Sequence, residues 1–101
     1  MITKFKLYEE INQNEPEEGD YVICSEYEKD IKDFIENNVG QYVHYEVGAR
    51  YPYDIEYNIP DNIIKIYFEN NCRRFSFDEI KYWSKDKDEL ESFLAAKKYN
   101  L

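Results

Sequence analysis

Eleven tyrosines among 101 residues constrain this fold more than any other feature of the chain. A tyrosine buries its ring but keeps its hydroxyl near water or a partner, so a core built on it is thin and lies close to solvent. Chains that stay disordered lack aromatic residues of this abundance, so the acidity of the sequence is not a sign of disorder. The length allows one domain, residues 1–101, with a single core. A domain of this size buries about two-thirds of its unfolded surface.

The apolar residues fall into short runs. Residues 2–8 carry Ile2, Phe5, Leu7 and Tyr8 and fit either a strand or the start of a helix, and residues 12–18 form a polar loop. Gly19-Asp20 opens Tyr21-Val22-Ile23-Cys24, a β-branched and aromatic run expected to be a strand. Over 28–39 the period changes. Ile31, Phe34, Ile35 and Val39 share one helical face, Ser25 and Glu28 have capping-box spacing, and Gly40 stands where a left-handed terminator belongs. Residues 41–47 and 53–59 alternate as strands, with Gly48 to Pro52 and Pro60-Asp61-Asn62 as turns.

In Ile63 to Phe68 the residues Ile64, Ile66 and Phe68 fit a strand and Ile63, Ile64, Tyr67 and Phe68 fit a helix face; the β-branched content favours the strand, paired through Glu69-Asn70-Asn71 with Cys72 to Phe75. Ser76 to Glu79 predicts one helical turn with Ser76 capping, and Lys81-Tyr82-Trp83 a last strand. A second helix is expected over 86–97, capped by Asp86, with Leu90, Phe93, Leu94 and Lys97 as its buried stripe.

The order of these elements predicts an α+β fold: a small antiparallel β-barrel or curved sheet with two flanking helices. The stretches Gly19 to Ile23, Val39 to Val43 and Arg74 to Ile80 resemble SH3-like barrel domains, in which a short helical turn precedes the closing strand. The resemblance covers residues 19–83 and departs from that family in placing a whole helix between the first two strands. The chain as a whole resembles small proteins encoded by phages. Its abundance of Ile, Asn, Lys and Tyr, whose codons are rich in A and T, points to an AT-rich genome.

Charge gives the functional direction. Residues 9–36 hold eleven acids and two bases, which accounts for a net −9, whereas residues 63–101 are close to neutral. Direct nucleic-acid binding is disfavoured, because phosphate contacts need a basic footprint. A basic surface on a partner protein is favoured, because complementary fields steer association. The expected contact residues are Glu15, Glu17, Glu18, Asp20, Glu26, Glu28, Asp30 and Asp33, flanked by Tyr42 and Tyr53. If the source is a phage, carboxylates spaced in this way imitate a phosphate backbone, and an anti-defence inhibitor of a host nucleic-acid-binding protein is the specific form. The rival is an accessory or assembly module whose acidity serves solubility alone.

Catalytic signals are thin. Pro60-Asp61 with Glu79-Ile80-Lys81 resembles the carboxylate and lysine pattern of a Mg²⁺-dependent nuclease family, in which two acids hold the ion and the lysine assists a water. The plain alternative is a turn and a helical cap. His44, Cys24 and Cys72 would supply three zinc ligands, but without the close pairing that zinc sites show. No phosphate-binding glycine loop or dinucleotide fingerprint occurs, so no cofactor is expected. Arg73-Arg74 beside Phe75 and Phe77 is the one basic and aromatic cluster, expected to answer the acids of the same domain. The two cysteines form no disulfide framework, no apolar run has signal or membrane-spanning length, and a cytoplasmic, membrane-free location is expected.

Overall fold

The computed structural model describes residues 15–99. The expectations for residues 2–8 and 12–14, and the acids Glu9 and Glu10, lie outside that range. The described chain is α+β. Five antiparallel strands, β1 (Tyr21–Cys24), β2 (Gly40–Tyr45), β3 (Tyr53–Glu56), β4 (Cys72–Phe75) and β5 (Ile80–Ser84), form one sheet in the order β4-β3-β2-β1-β5. Helix α1 (Lys29–Glu36) follows β1, and helix α2 (Lys87–Tyr99) follows β5. The sheet is not closed: β4 and β5 are both edges, so the outcome is an open sheet.

Both helices pack against β1, which explains why this strand is so apolar. Val22 and Cys24 join Ile31, Phe34 and Ile35 of α1 in the main core, with Tyr42, Tyr53, Ile55, Tyr57 and Phe75 from the rest of that face. Ile23 lies one residue out of phase and so points to the opposite face. There its partner in register, Tyr82, sets its ring 4.5 Å from that of Phe93 on α2. Tyrosines knit the first face, as the composition predicts. Tyr53 meets Tyr42 and Tyr45 edge-on, each with ring centroids 5.1 Å away, and Tyr57 meets Phe34 at 5.7 Å. The Tyr57 hydroxyl is buried beside the Cys24 thiol and has no hydrogen-bond partner of ordinary geometry among the described residues.

Several local expectations change for identifiable reasons. Helix α1 stops before Val39, because the side-chain amides of Asn37 and Asn38 donate to the carbonyls of Asp33 and Phe34 and satisfy its last turn. Ser25 does not cap it: the N-cap position is Glu28, without a side-chain cap bond, and Glu26 accepts from the N–H groups of Tyr27 and Glu28 just ahead of the helix. Gly40 is not a left-handed terminator but the first residue of β2. Its lack of a side chain matters there, since a Cβ would stand 2.5 Å from Ile55 Cγ2 and 2.7 Å from Tyr57 Cε1.

The alternation expected over 41–47 breaks at a bulge between Tyr42 and His44, which returns Tyr45 to the side of Tyr42. Residues 63–68 are not a strand. They hold a 3-10 turn at Lys65–Tyr67, and β4 pairs with β3 instead. The turn into β4 is as expected, with Asn70 at φ 54° and Asn71 at φ 65°, a conformation that asparagine tolerates. The turn Phe77–Glu79 also forms, with Glu79 accepting from the Ser76 N–H. In α2, Asp86 caps through the Asp88 N–H and Leu90 is buried, but Lys97 is exposed.

Two outcomes follow from this core. Gly40→Ala is expected to lose about 1–3 kcal/mol in urea unfolding, because the new methyl group forces Ile55 or Tyr57 out of place. Alkali is also expected to destabilise the protein. Burial pushes the Cys24 thiol from its ordinary 9.0 up to about 12 and the Tyr42 phenol from 10.0 up to about 12, and it raises Tyr53 and Tyr57 in the same direction. The unfolded chain releases these protons above about pH 9 while the native chain keeps them, so stability falls as pH rises through that window. The urea midpoint at pH 11 is therefore expected below that at pH 8; equal midpoints would contradict it.

Candidate interaction surface

The segment between β1 and α1 is organised by one buried carboxylate. Glu26 receives Arg73 Nε at 2.6 Å and Nη2 at 2.8 Å, a two-pronged bond from β4. The same carboxylate accepts from the backbone N–H groups of Tyr27 and Glu28, just ahead of α1. Arg73 also donates through Nη1 to the Tyr67 carbonyl at 3.2 Å and stands over the Tyr67 ring. The Tyr67 hydroxyl donates to Asp30 at 3.0 Å. The hydrogen bond it donates to Asp30 raises the Tyr67 phenol, and those donated to Glu26 raise the Arg73 guanidinium.

A second tie holds the loop before β1. Lys85 Nζ donates to Asp20 at 2.8 Å and to Glu17 at 2.9 Å, and the other Asp20 oxygen accepts the Glu17 N–H. Asp20 is buried, and the two carboxylates raise the Lys85 ammonium.

These ties divide the ten expected contact residues. Asp20 and Glu26 are internal ion-pair members, and Tyr42 and Tyr53 are core residues; all four are buried and so belong to the interior of the domain rather than its outer surface. Glu17 is bound to Lys85, and Asp30 accepts from Tyr67. Glu15, Glu18, Glu28 and Asp33 make no ion pair among the described residues. The acidic segment therefore does not form one uniform face. It is pinned at two places by cations of the last third of the chain, and its unpaired acids lie between and around those pins.

The structure adds a feature that charge patterning missed. An open cleft of about 990 Å³ lies beside edge strand β4. Tyr27, Tyr51, Ile66 and Tyr67 line it, together with Arg50 and Glu28. Tyr27 is 86% exposed and Ile66 is 78% exposed, unusual values for large apolar groups. Neither exposure was legible in the sequence: Tyr27 stands 4, 7 and 8 residues before Ile31, Phe34 and Ile35 and so falls in phase with their face, yet it lies ahead of α1, and Ile66 belongs to the run expected to be a strand.

The catalytic candidates have local partners of their own. Asp61 is exposed and bonded to Lys65 at 3.5 Å, Glu79 is spent on the Ser76 cap, and Lys81 faces solvent. Cys24 is in the core, Cys72 is in β4, and exposed His44 contacts Glu46 at 3.3 Å. Among the described residues, no three His, Cys, Asp or Glu side chains gather to hold a metal ion. No described helix is long and apolar enough to cross a membrane. In comparisons with known proteins the chain matches no family model, no curated protein and no solved structure.

Removing Arg73 leaves the Glu26 carboxylate buried without its cation. Arg73→Met is expected to cost about 3 kcal/mol in urea unfolding, the low end for an orphaned buried charge, since two backbone donors remain. Adding Glu26→Gln is expected to restore part of that loss. A cost of under about 0.5 kcal/mol would mean that the pair behaves like a surface bridge.

Proposed function

We propose that the protein is a non-catalytic interaction module that offers exposed carboxylates, with aromatic groups among them, to a basic surface on a partner protein. One observation carries this reading. The domain's own cations neutralise Asp20, Glu26 and Glu36, yet Glu15, Glu18, Glu28 and Asp33 stay without an ion pair among the described residues. Charge that folding does not use is available to another surface. The non-catalytic half of the reading is supported by Glu79, whose carboxylate serves a helical turn.

The strand order and the 3-10 turn before β5 support reading the fold as an opened form of an SH3-like barrel with α1 inserted after the first strand. A phage anti-defence inhibitor that works in the host cytoplasm, its carboxylates standing in for phosphates, is the most specific version. It would occupy a host nucleic-acid-binding groove, and affinity would fall with salt.

The test uses a variant with Glu15→Gln, Glu18→Gln, Glu28→Gln and Asp33→Asn, three exposed residues and one half-buried, Glu28, none of them a member of the two internal ties. Wild-type and variant protein are immobilised and compared for capture of basic proteins from host lysate at 150 mM salt. The expected result is a defined basic partner held by the wild type and lost by the variant, with melting temperatures within a few degrees of each other. Equal capture by both proteins would leave an accessory module with incidental acidity in its place.

A further inference from the structure

The cleft beside β4 combines three properties that the proposed function does not itself require. It displays large apolar groups with no core to fill, Tyr27 and Ile66 above all. Its charge is unbalanced, with five carboxylates (Glu26, Glu28, Asp54, Glu69 and Glu79) against three guanidiniums (Arg50, Arg73 and Arg74). Two of those guanidiniums are already engaged. Arg73 is held by Glu26, with Glu79 and Glu28 also within Coulomb range, and Arg74 lies 3.9 Å from Glu46 and opposite Asp54 in register. Arg50 is the one guanidinium of the cleft without an ion pair among the described residues. The surplus negative charge beside Arg73 lies with Glu28 and Glu79, near Tyr27 and Tyr67.

The backbone of β4 argues about the manner of binding. Tyr57 N–H donates to the Asn71 carbonyl at 2.9 Å, which fixes the hydrogen-bonding phase of the β3–β4 ladder. In that phase Arg73 and Phe75 bond to β3, and Cys72 and Arg74 point their backbone groups outward. Cys72 exchanges both its outward groups with Glu69, each at 2.9 Å, and the next outward N–H, at Ser76, is held by Glu79. Only Arg74 is left, which is too little for an added strand; an edge fenced in this way resists pairing with another chain. A ligand of this cleft is therefore held by side chains.

We infer that the cleft is a docking site for an arginine-bearing segment of a partner protein, with a guanidinium set between Glu28 and the rings of Tyr27 and Tyr67 and an apolar neighbour on Ile66. The inference rests on the proposed function and narrows it from an acidic exterior to one place. Arginine suits the site because it stacks on aromatic faces while bonding a carboxylate, and the fold itself repeats that pairing with Arg73 over Tyr67 and on Glu26. The choice of occupant rests on charge: an acidic or phosphate-bearing ligand would meet the surplus carboxylates and find one unpaired guanidinium, Arg50.

The test is a titration of isotope-labelled full-length protein with a hexa-arginine peptide, followed by amide NMR shifts at 50 mM and 300 mM salt. The double variant Tyr27→Ser/Glu28→Gln and the remote pair Glu15→Gln/Glu18→Gln are titrated alongside. The expected result is a set of shifts centred on residues 26–28 and 66–69. Affinity should be about fivefold weaker in the cleft variant, from one stacking and one ionic contact, and within twofold of wild type in the remote pair. Shifts spread over all exposed carboxylates, with equal losses in both variants, would overturn the cleft as the docking site while leaving the acidic reading intact. No shifts at either salt would overturn both.

Discussion

The bond between Glu26 and Arg73 is the constraint on which the arrangement around the cleft depends. A carboxylate this buried needs full compensation, and it obtains it from a two-pronged guanidinium and from the N–H groups of Tyr27 and Glu28 just ahead of α1. The bond fixes where α1 begins, ties that helix to the edge strand β4, and orients Arg73 toward the carbonyl and ring of Tyr67. The turn at Lys65–Tyr67, which contributes few buried groups of its own, is held to the body through that arginine and through Asp30. One ion pair thus sets the shape of the wall that carries Tyr27, Glu28 and Tyr67.

The core shows how a tyrosine-rich chain makes a small domain. Tyr42, Tyr53 and Tyr57 lie on one face of the sheet and contact other rings edge-on, the geometry aromatic pairs prefer. The space is filled closely enough that β2 needs a glycine at its start. Several of the groups that fill this core are themselves weak acids held neutral by burial.

Charge in this protein has two roles that composition does not separate. Lys85 and Arg73 fold back on Asp20 and Glu26, so part of the acidic segment serves the fold. The remainder is surplus, and surplus charge beside exposed rings is the physical basis of the interaction reading. The fenced edge of β4 adds to it, since it leaves a cleft accessible to side chains and closed to an extra strand.

The sequence by itself determined the local elements. Strand Tyr21–Cys24, the amphipathic face of α1, the asparagine turn, the Ser76 to Glu79 turn and α2 were legible because each depends on neighbours within a few residues: periodicity, caps and backbone preferences. Three things were decided by tertiary structure alone. Residues 63–68 gave up a strand, because β4 took the place beside β3, and local propensity cannot choose between partners. Of the two forms expected, barrel or curved sheet, the chain leaves its sheet open. Above all, the contact residues were resorted, because a carboxylate looks the same in sequence whether it will face water or a guanidinium 47 positions away. Which acids are neutralised depends on distances that exist only once the chain is folded, and so does a cleft whose walls come from residues 26–28, 50–51 and 66–74.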